Sequence, residues 1–172
     1  MVYHPACGGI LARMRRIAIV GACVLLAVGF SACSSSSGAT SAPVAAPSSD
    51  ATSVANHVKA GVPTVTKVVT LDENNDSNHL LGRPNGYVSA AVLFDSGTSV
   101  KDPDPGVANG ATVEVFATPE AAKTRHDFLA AIGKASPVLV NEYDYLSGAT
   151  LLRVSGALKP SVAKTYQAAF GA

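Results

Sequence analysis

The sequence predicts an α+β fold: a single two-layer domain, a mainly antiparallel sheet with helices on one face, in the order α-β-β-β-α-β-β-α. Three observations carry this. Short β-branched runs alternate with turn-rich stretches, the pattern of half-buried strands. Two later segments repeat apolar residues at helical spacing behind helix-start residues. The connections between strands are mostly short enough for hairpins, which favours antiparallel pairing and leaves the helices to cover a face. A chain of 172 residues has room for one such domain, and no internal repeat of 20–50 residues divides it.

Residues 54–60 read as a short helix ended by Gly61-Val62-Pro63. Residues 64–71 (TVTKVVTL) are β-branched and read as a strand. Residues 72–84 are polar and turn-rich. Residues 87–94 read as a strand with Val88, Ala90, Val92 and Phe94 on one face. Residues 95–110 contain Ser-Gly, two Asp-Pro steps and Asn-Gly, a long surface loop. Residues 111–116 form a third strand with Val113 and Val115 inward.

The strongest helix follows. Thr118 is its N-cap, Pro119 suits the first turn and Glu120 favours the positive end of the dipole. Ala121, Phe128, Leu129 and Ile132 lie close to one face, Lys123 and Asp127 can pair four residues apart, and Gly133 ends the helix. Residues 138–146 and 150–154 read as a hairpin around Ser147-Gly148-Ala149. Pro160 opens a last helix, with Val162, Tyr166, Ala169 and Phe170 at helical spacing and Gly171 as its stop.

The N-terminal third has a different character. Arg13, Arg15 and Arg16 precede an uncharged apolar run of 14 residues, 17–30 (IAIVGACVLLAVGF). That length suits a secretory signal and falls short of the roughly 20 residues that span a bilayer. Ser31, Ala32 and Cys33 follow. Gly29-Phe30-Ser31-Ala32-Cys33 resembles the lipobox of bacterial lipoproteins, with Phe30 in place of the usual Leu. The resemblance implies a thioether from Cys33 to diacylglycerol, cleavage after Ala32, and acylation (palmitate or a similar chain) that holds the protein at a membrane. Residues 1–32 are then the signal peptide. Met14 begins a complete signal of the same kind and is an alternative start.

Cysteine arithmetic fits this reading. Of Cys7, Cys23 and Cys33, cleavage leaves only Cys33, which the lipid consumes, so no internal disulfide is expected. Losing Arg13, Arg15 and Arg16 turns the formal charge of +1 into about −2, which offers anionic headgroups or nucleic acid no basic surface. Residues 33–53 comprise the lipidated Cys33 and a flexible tether rich in Ser, Ala and Pro, with an r.m.s. reach of roughly 25 Å. Residues 54–172 are the globular domain.

Candidate sites in that domain are few. Asp72, Asn74 and Asp76 match the first ligands of a calcium loop, but Ser77 and Arg83 stand where Gly and Glu are required, so an Asx-rich turn is expected and no metal. His57, His79 and His126 lack zinc spacing. No nucleophile elbow or phosphate loop occurs, and no cofactor is implied. Arg83, between Gly82 and Pro84, sits on a stiff turn; it either presents a guanidinium to a carboxylate or phosphate or pairs locally with an acid such as Asp76. Glu142-Tyr143-Asp144-Tyr145 alternates, so a strand puts both carboxylates on one face and both tyrosines on the other. Tyr143 and Tyr145 then pack under a helix or line a groove, and Arg153 on the partner strand faces Glu142 or Asp144 as a cross-strand ion pair.

Residues 79–87 (HLLGRPNGY), the helix start at 116–122, and EYDY followed by LLRVSG resemble a group of small actinobacterial cell-envelope lipoproteins, over about residues 78–170. The resemblance implies an α+β domain on the extracytoplasmic face of the cell membrane and transfers no catalytic residue. The expectation is a lipid-anchored monomer that binds a small molecule or an envelope protein without catalysis, through Arg83, Tyr143 and Tyr145. Two other classes stand beside it: a small envelope hydrolase using Glu142 and Asp144 or an unrecognised triad, and an inhibitor of a secreted enzyme presenting the 95–110 loop.

Overall fold

The computed structural model describes residues 50–100 and 104–172. Cys33 and the signal and tether residues before position 50 lie outside them. The element order is α1 (Ala51–Gly61), β1 (Val65–Thr70), β2 (Ser89–Asp95), β3 (Gly110–Val115), α2 (Pro119–Ala135), β4 (Glu142–Ser147), β5 (Thr150–Ser155) and α3 (Pro160–Phe170), with a 3-10 turn at Val107–Asn109. The α+β class and the order α-β-β-β-α-β-β-α are as the sequence predicts. The five strands form one sheet in the order β1-β2-β3-β5-β4, with every neighbouring pair antiparallel.

The layering is fuller than the expected pair. Helices α1 and α3 pack over one face on Ala91, Leu93, Val113, Leu152 and Val154. Helix α2 packs over the opposite face, where Ala122 and Leu129 join Ala90, Val92, Phe116 and Leu151. The cause is one connection. β3 and β4 are each antiparallel to β5, which lies between them, so they run in the same direction. Strands that run together need a crossover and not a hairpin, and a helix that crosses over must lie on a face of the sheet. Residues 116–141 make that crossover through α2.

Helix α1 starts at Ala51 and not Val54, because Asp50 caps it by accepting the Ser53 N–H at 2.9 Å. Its first turn is tied to the sheet: the Ala51 N–H donates to Ser89 Oγ (3.0 Å), and the Thr52 and Thr70 hydroxyls meet at 2.8 Å. Asp50 therefore sits at the end of the sheet where β1 and β3 finish. Thr118 caps α2 as expected, accepting from the Ala121 N–H. Gly133 does not end α2, which runs on to Ala135 with Ser136 at its C-cap. A Cβ on Gly133 would stand 3.2 Å from the Val140 carbonyl oxygen, so this glycine serves the close return of the chain into β4. Phe128 faces solvent, 56% exposed, since the inward stripe of α2 is Ala122, Arg125 and Leu129. At β4–β5 the two-residue turn has Gly148 alone at positive φ (55°), the requirement of a primed hairpin turn. Gly171 closes α3 in the left-handed region as expected.

Two Asp–Tyr pairs fasten the long loops. Asp76 and Tyr87 are both buried, and the Tyr87 hydroxyl donates to Asp76 Oδ1. At the other end of the sheet, Asp95 Oδ2 accepts from the Tyr166 hydroxyl at 2.8 Å and from Thr64 at 2.6 Å, joining β2 to α3. Gly97 and Thr98 are anchored there, with the Gly97 N–H on Asp95 Oδ1 and the Thr98 hydroxyl on the Asp95 carbonyl oxygen.

Candidate functional site

On the face that α2 covers, the sheet is polar in the middle. Thr112 on β3 lies opposite Arg153 on β5, and Arg153 lies opposite Asp144 on β4. Glu114 and Glu142 flank this row on the same face, since residues two apart on a strand share a side. Arg153 binds Glu142 with both ends of the carboxylate, Nη2 to Oε2 at 2.9 Å and Nε to Oε1 at 3.2 Å, and reaches Glu114 Oε1 with Nη1 at 2.7 Å. Arg125 comes down from α2 to Glu114 Oε2 at 3.4 Å. Glu114 is wholly buried, 0% exposed.

This cluster decides several expectations. Arg153 does pair across the strands, and its partner is Glu142 and not Asp144. Asp144 is left over: among the described residues its Oδ1 is enclosed without a hydrogen bond, as is Thr112 Oγ1. Burial first, and the neighbouring Glu142 charge second, push the Asp144 carboxyl up to about 6, against the pull of Arg153 and His126. The same two glutamates hold the Arg153 guanidinium in its charged form despite burial. His126 is half-buried and not fully solvated; it faces this cluster and meets Asp127 at 3.2 Å.

Sequence reasoning missed Glu114. Its strand shows Val113 and Val115 as the inward pair, and with one covered face Glu114 would be in solvent. The available signal was a lone charge in each of two apolar strands, Glu114 in TVEV and Arg153 in LLRV, of opposite sign.

Arg83 sits elsewhere, at the exposed tip of the β1–β2 loop. Asp76 holds that loop, accepting the N–H groups of Leu80 (2.8 Å), Leu81 (2.9 Å) and Asn78 (3.1 Å) as well as the Tyr87 hydroxyl. Burial alone would raise the Asp76 carboxyl, and these four donors overcome it and hold the group below its ordinary value. The expected local pairing of Arg83 with Asp76 is not made; among the described residues Arg83 has no acidic partner. Its side chain lines an open cavity of about 350 Å³ with Glu73, Asp76, His79, Leu81 and Gly82. His79 and Asn85, at positive φ of 52° and 63°, shape the turn. Asp72 accepts from the Asn74 and Asn75 N–H groups and Asp76 from the Asn78 N–H, so both aspartates serve Asx turns. Among the described residues no group of three or more His, Cys, Asp or Glu side chains could hold a metal ion.

Tyr143 and Tyr145 are on the opposite face from Asp144, half-buried against the cluster that α1 and α3 cover. The structure therefore does not bring Arg83 together with the tyrosines. Comparison with protein-family models, with curated proteins and with solved structures yields no match.

Proposed function

We propose that this chain is a lipid-anchored, extracytoplasmic lipoprotein of the cell envelope whose domain binds a ligand or partner and carries out no catalysis. The observation behind the anchor is the order of residues 13–33: three arginines, 14 apolar residues, then Ser31-Ala32-Cys33. The apolar run at 17–30 is shorter than the roughly 20 residues that span a bilayer, so attachment is assigned to the acyl chains on Cys33. The domain works as a monomer, which the two outer strands favour. β1 has a bulge and Lys67, whose ammonium lies 4.1 Å from the Phe94 ring centroid, and β4 points Glu142 and Asp144 inward. Both devices discourage pairing between sheet edges.

The binding site is the Arg83 cavity, and its ligand is a molecule bearing a carboxylate or phosphate. A guanidinium without an acidic partner, on a loop fastened by a buried carboxylate, supports that choice. Tyr143 and Tyr145 then serve packing. The hydrolase reading has one observation in its favour, the raised Asp144 carboxyl beside Glu142. Against it, Arg153 binds both oxygens of Glu142 and that side chain is only 3% exposed, so the carboxylate is not presented to a substrate.

Intact mass of the membrane-extracted protein tests the anchor. A chain beginning at Cys33 with added acyl mass is expected, and Cys33→Ala should release the protein from the membrane. Recovery of an unacylated chain retaining residues before Cys33 would refute the anchor. A thermal-shift screen with small phosphates and carboxylates tests the binding: a hit that Arg83→Ala abolishes supports it.

A further inference from the structure

We propose that Asp144 is a proton-operated latch for helix α2: the helix seats fully on the sheet while the Asp144 carboxyl carries a proton, and loosens when it is ionised. Charges of the two signs are unequal in number in the layer between α2 and the sheet. Two guanidinium groups, Arg153 and Arg125, meet three carboxyl groups, Glu114, Glu142 and Asp144. Arg153 is committed to Glu142 and Glu114, and Arg125 to Glu114. With Asp144 neutral, two negative charges balance two positive ones. With Asp144 ionised, a third negative charge stands in the layer with Oδ1 enclosed and unbonded. A charged carboxylate with one oxygen shut away from water and without a hydrogen bond is costly, and water entry relieves it.

The groups around Asp144 come from each packed element. Glu142 is on its own strand, Arg153 on β5, Glu114 and the unbonded Thr112 hydroxyl on β3, and His126 and Arg125 on α2. The element free to yield is α2. β4 is held by a six-residue ladder to β5, whereas α2 offers only Ala122 and Leu129 as buried anchors over its 17 residues. Lifting the helix admits water to both unbonded oxygens, Asp144 Oδ1 and Thr112 Oγ1.

The direction follows from linkage. Burial raises the carboxyl to about 6 in the seated state, and exposure in the lifted state returns it toward 3.8. The seated state therefore binds its proton more tightly. Its advantage is complete below about pH 4 and is lost as the pH rises through about 6.

Hydrogen exchange on the full-length protein in detergent, corrected for intrinsic rates, tests this. The opening of residues 119–135 should increase about tenfold from pH 5 to pH 7, while α1 and α3 on the other face stay level. Asp144→Asn, which cannot ionise, should abolish the dependence. His126→Gln should retain it, which separates the carboxyl from the imidazole. Equal protection of α2 at both pH values in the natural protein overturns the proposal, as does a dependence that survives Asp144→Asn or vanishes in His126→Gln. Should Asp144→Asn fail to fold, the midpoint in the natural protein decides: near pH 6 supports the latch, and near pH 4 overturns it.

Discussion

Asp144 stands directly opposite Arg153 across the β4–β5 ladder, yet the guanidinium binds Glu142 and Glu114 instead. Register brings two side chains close, and competition for donors decides which pair forms. Glu142 offers two oxygens in fork geometry, which a guanidinium matches with two parallel bonds. Glu114 has no water to fall back on. A single buried cation thus serves the two carboxylates that need it most.

Removing that cation should be severe. Arg153→Met leaves Glu114 buried, with only the 3.4 Å contact to Arg125, and Glu142 unpaired. A loss of about 3–5 kcal/mol of unfolding free energy is expected. Adding Glu114→Leu and Glu142→Leu to the same chain should recover most of it, because an apolar layer carries no desolvation cost. Urea unfolding of the single and triple variants measures both. Equal stability of Arg153→Met and the natural protein would show that the cluster is solvated.

The Asp76–Tyr87 pair gives a graded expectation. Tyr87→Phe removes one of four donors to Asp76, at a cost of about 1–2 kcal/mol. Asp76→Ala strands the N–H groups of Leu80 and Leu81 as well as the tyrosine hydroxyl, and should cost about 3 kcal/mol. Denaturant midpoints in that order check the hierarchy. Gly86→Ala is a third probe of the same loop, since its Cβ would fall 1.9 Å from the Leu80 carbonyl oxygen, forcing the backbone to move.

Arg83 should behave in the opposite way. With no acidic partner among the described residues, Arg83→Ala should change stability by no more than about 0.5 kcal/mol. If the cavity binds an anionic ligand, the same change removes the thermal shift that the ligand produces. A large stability loss would mean that Arg83 is a structural residue.

How much of this was written in the sequence depends on the range of the interaction. Thr118, Pro119, Gly148 and Gly171 act within a few residues, so α2, the β4–β5 turn and the end of α3 were legible from local chemistry. That Arg153 would meet Glu142 or Asp144 was legible too, because a hairpin puts the three side chains on one face; the choice of Glu142 was not, since register sets Asp144 opposite. The side of the sheet that α2 covers was not, since it follows from β5 slipping between β3 and β4. That one topological fact buries Glu114, leaves Phe128 outside and encloses Asp144. Asp50 and Gly133 misplaced helix ends for a similar reason: a cap and a close chain return each outweighed local apolar pattern. Arg83 was located correctly on its turn, but its expected partner Asp76 is taken by backbone donors.

Two carboxylates pull the stability profile in opposite directions, and their sum gives a last expectation. Asp76 is held below its ordinary value, so its contribution is present above about pH 4 and is lost as the solution becomes more acidic. Asp144 is raised to about 6, so its contribution is complete below about pH 4 and is lost as the pH climbs through 6. Asp144 is partly open to solvent, which reduces its share to about 1–2 kcal/mol. Unfolding free energy should therefore peak near pH 4 and decline toward both pH 2.5 and pH 7.5. Asp144→Asn should flatten the alkaline limb only, and Asp76→Asn the acidic limb only. Chemical denaturation at these three pH values separates the limbs, and a profile that rises steadily from pH 4 to pH 7.5 would remove Asp144 from the account.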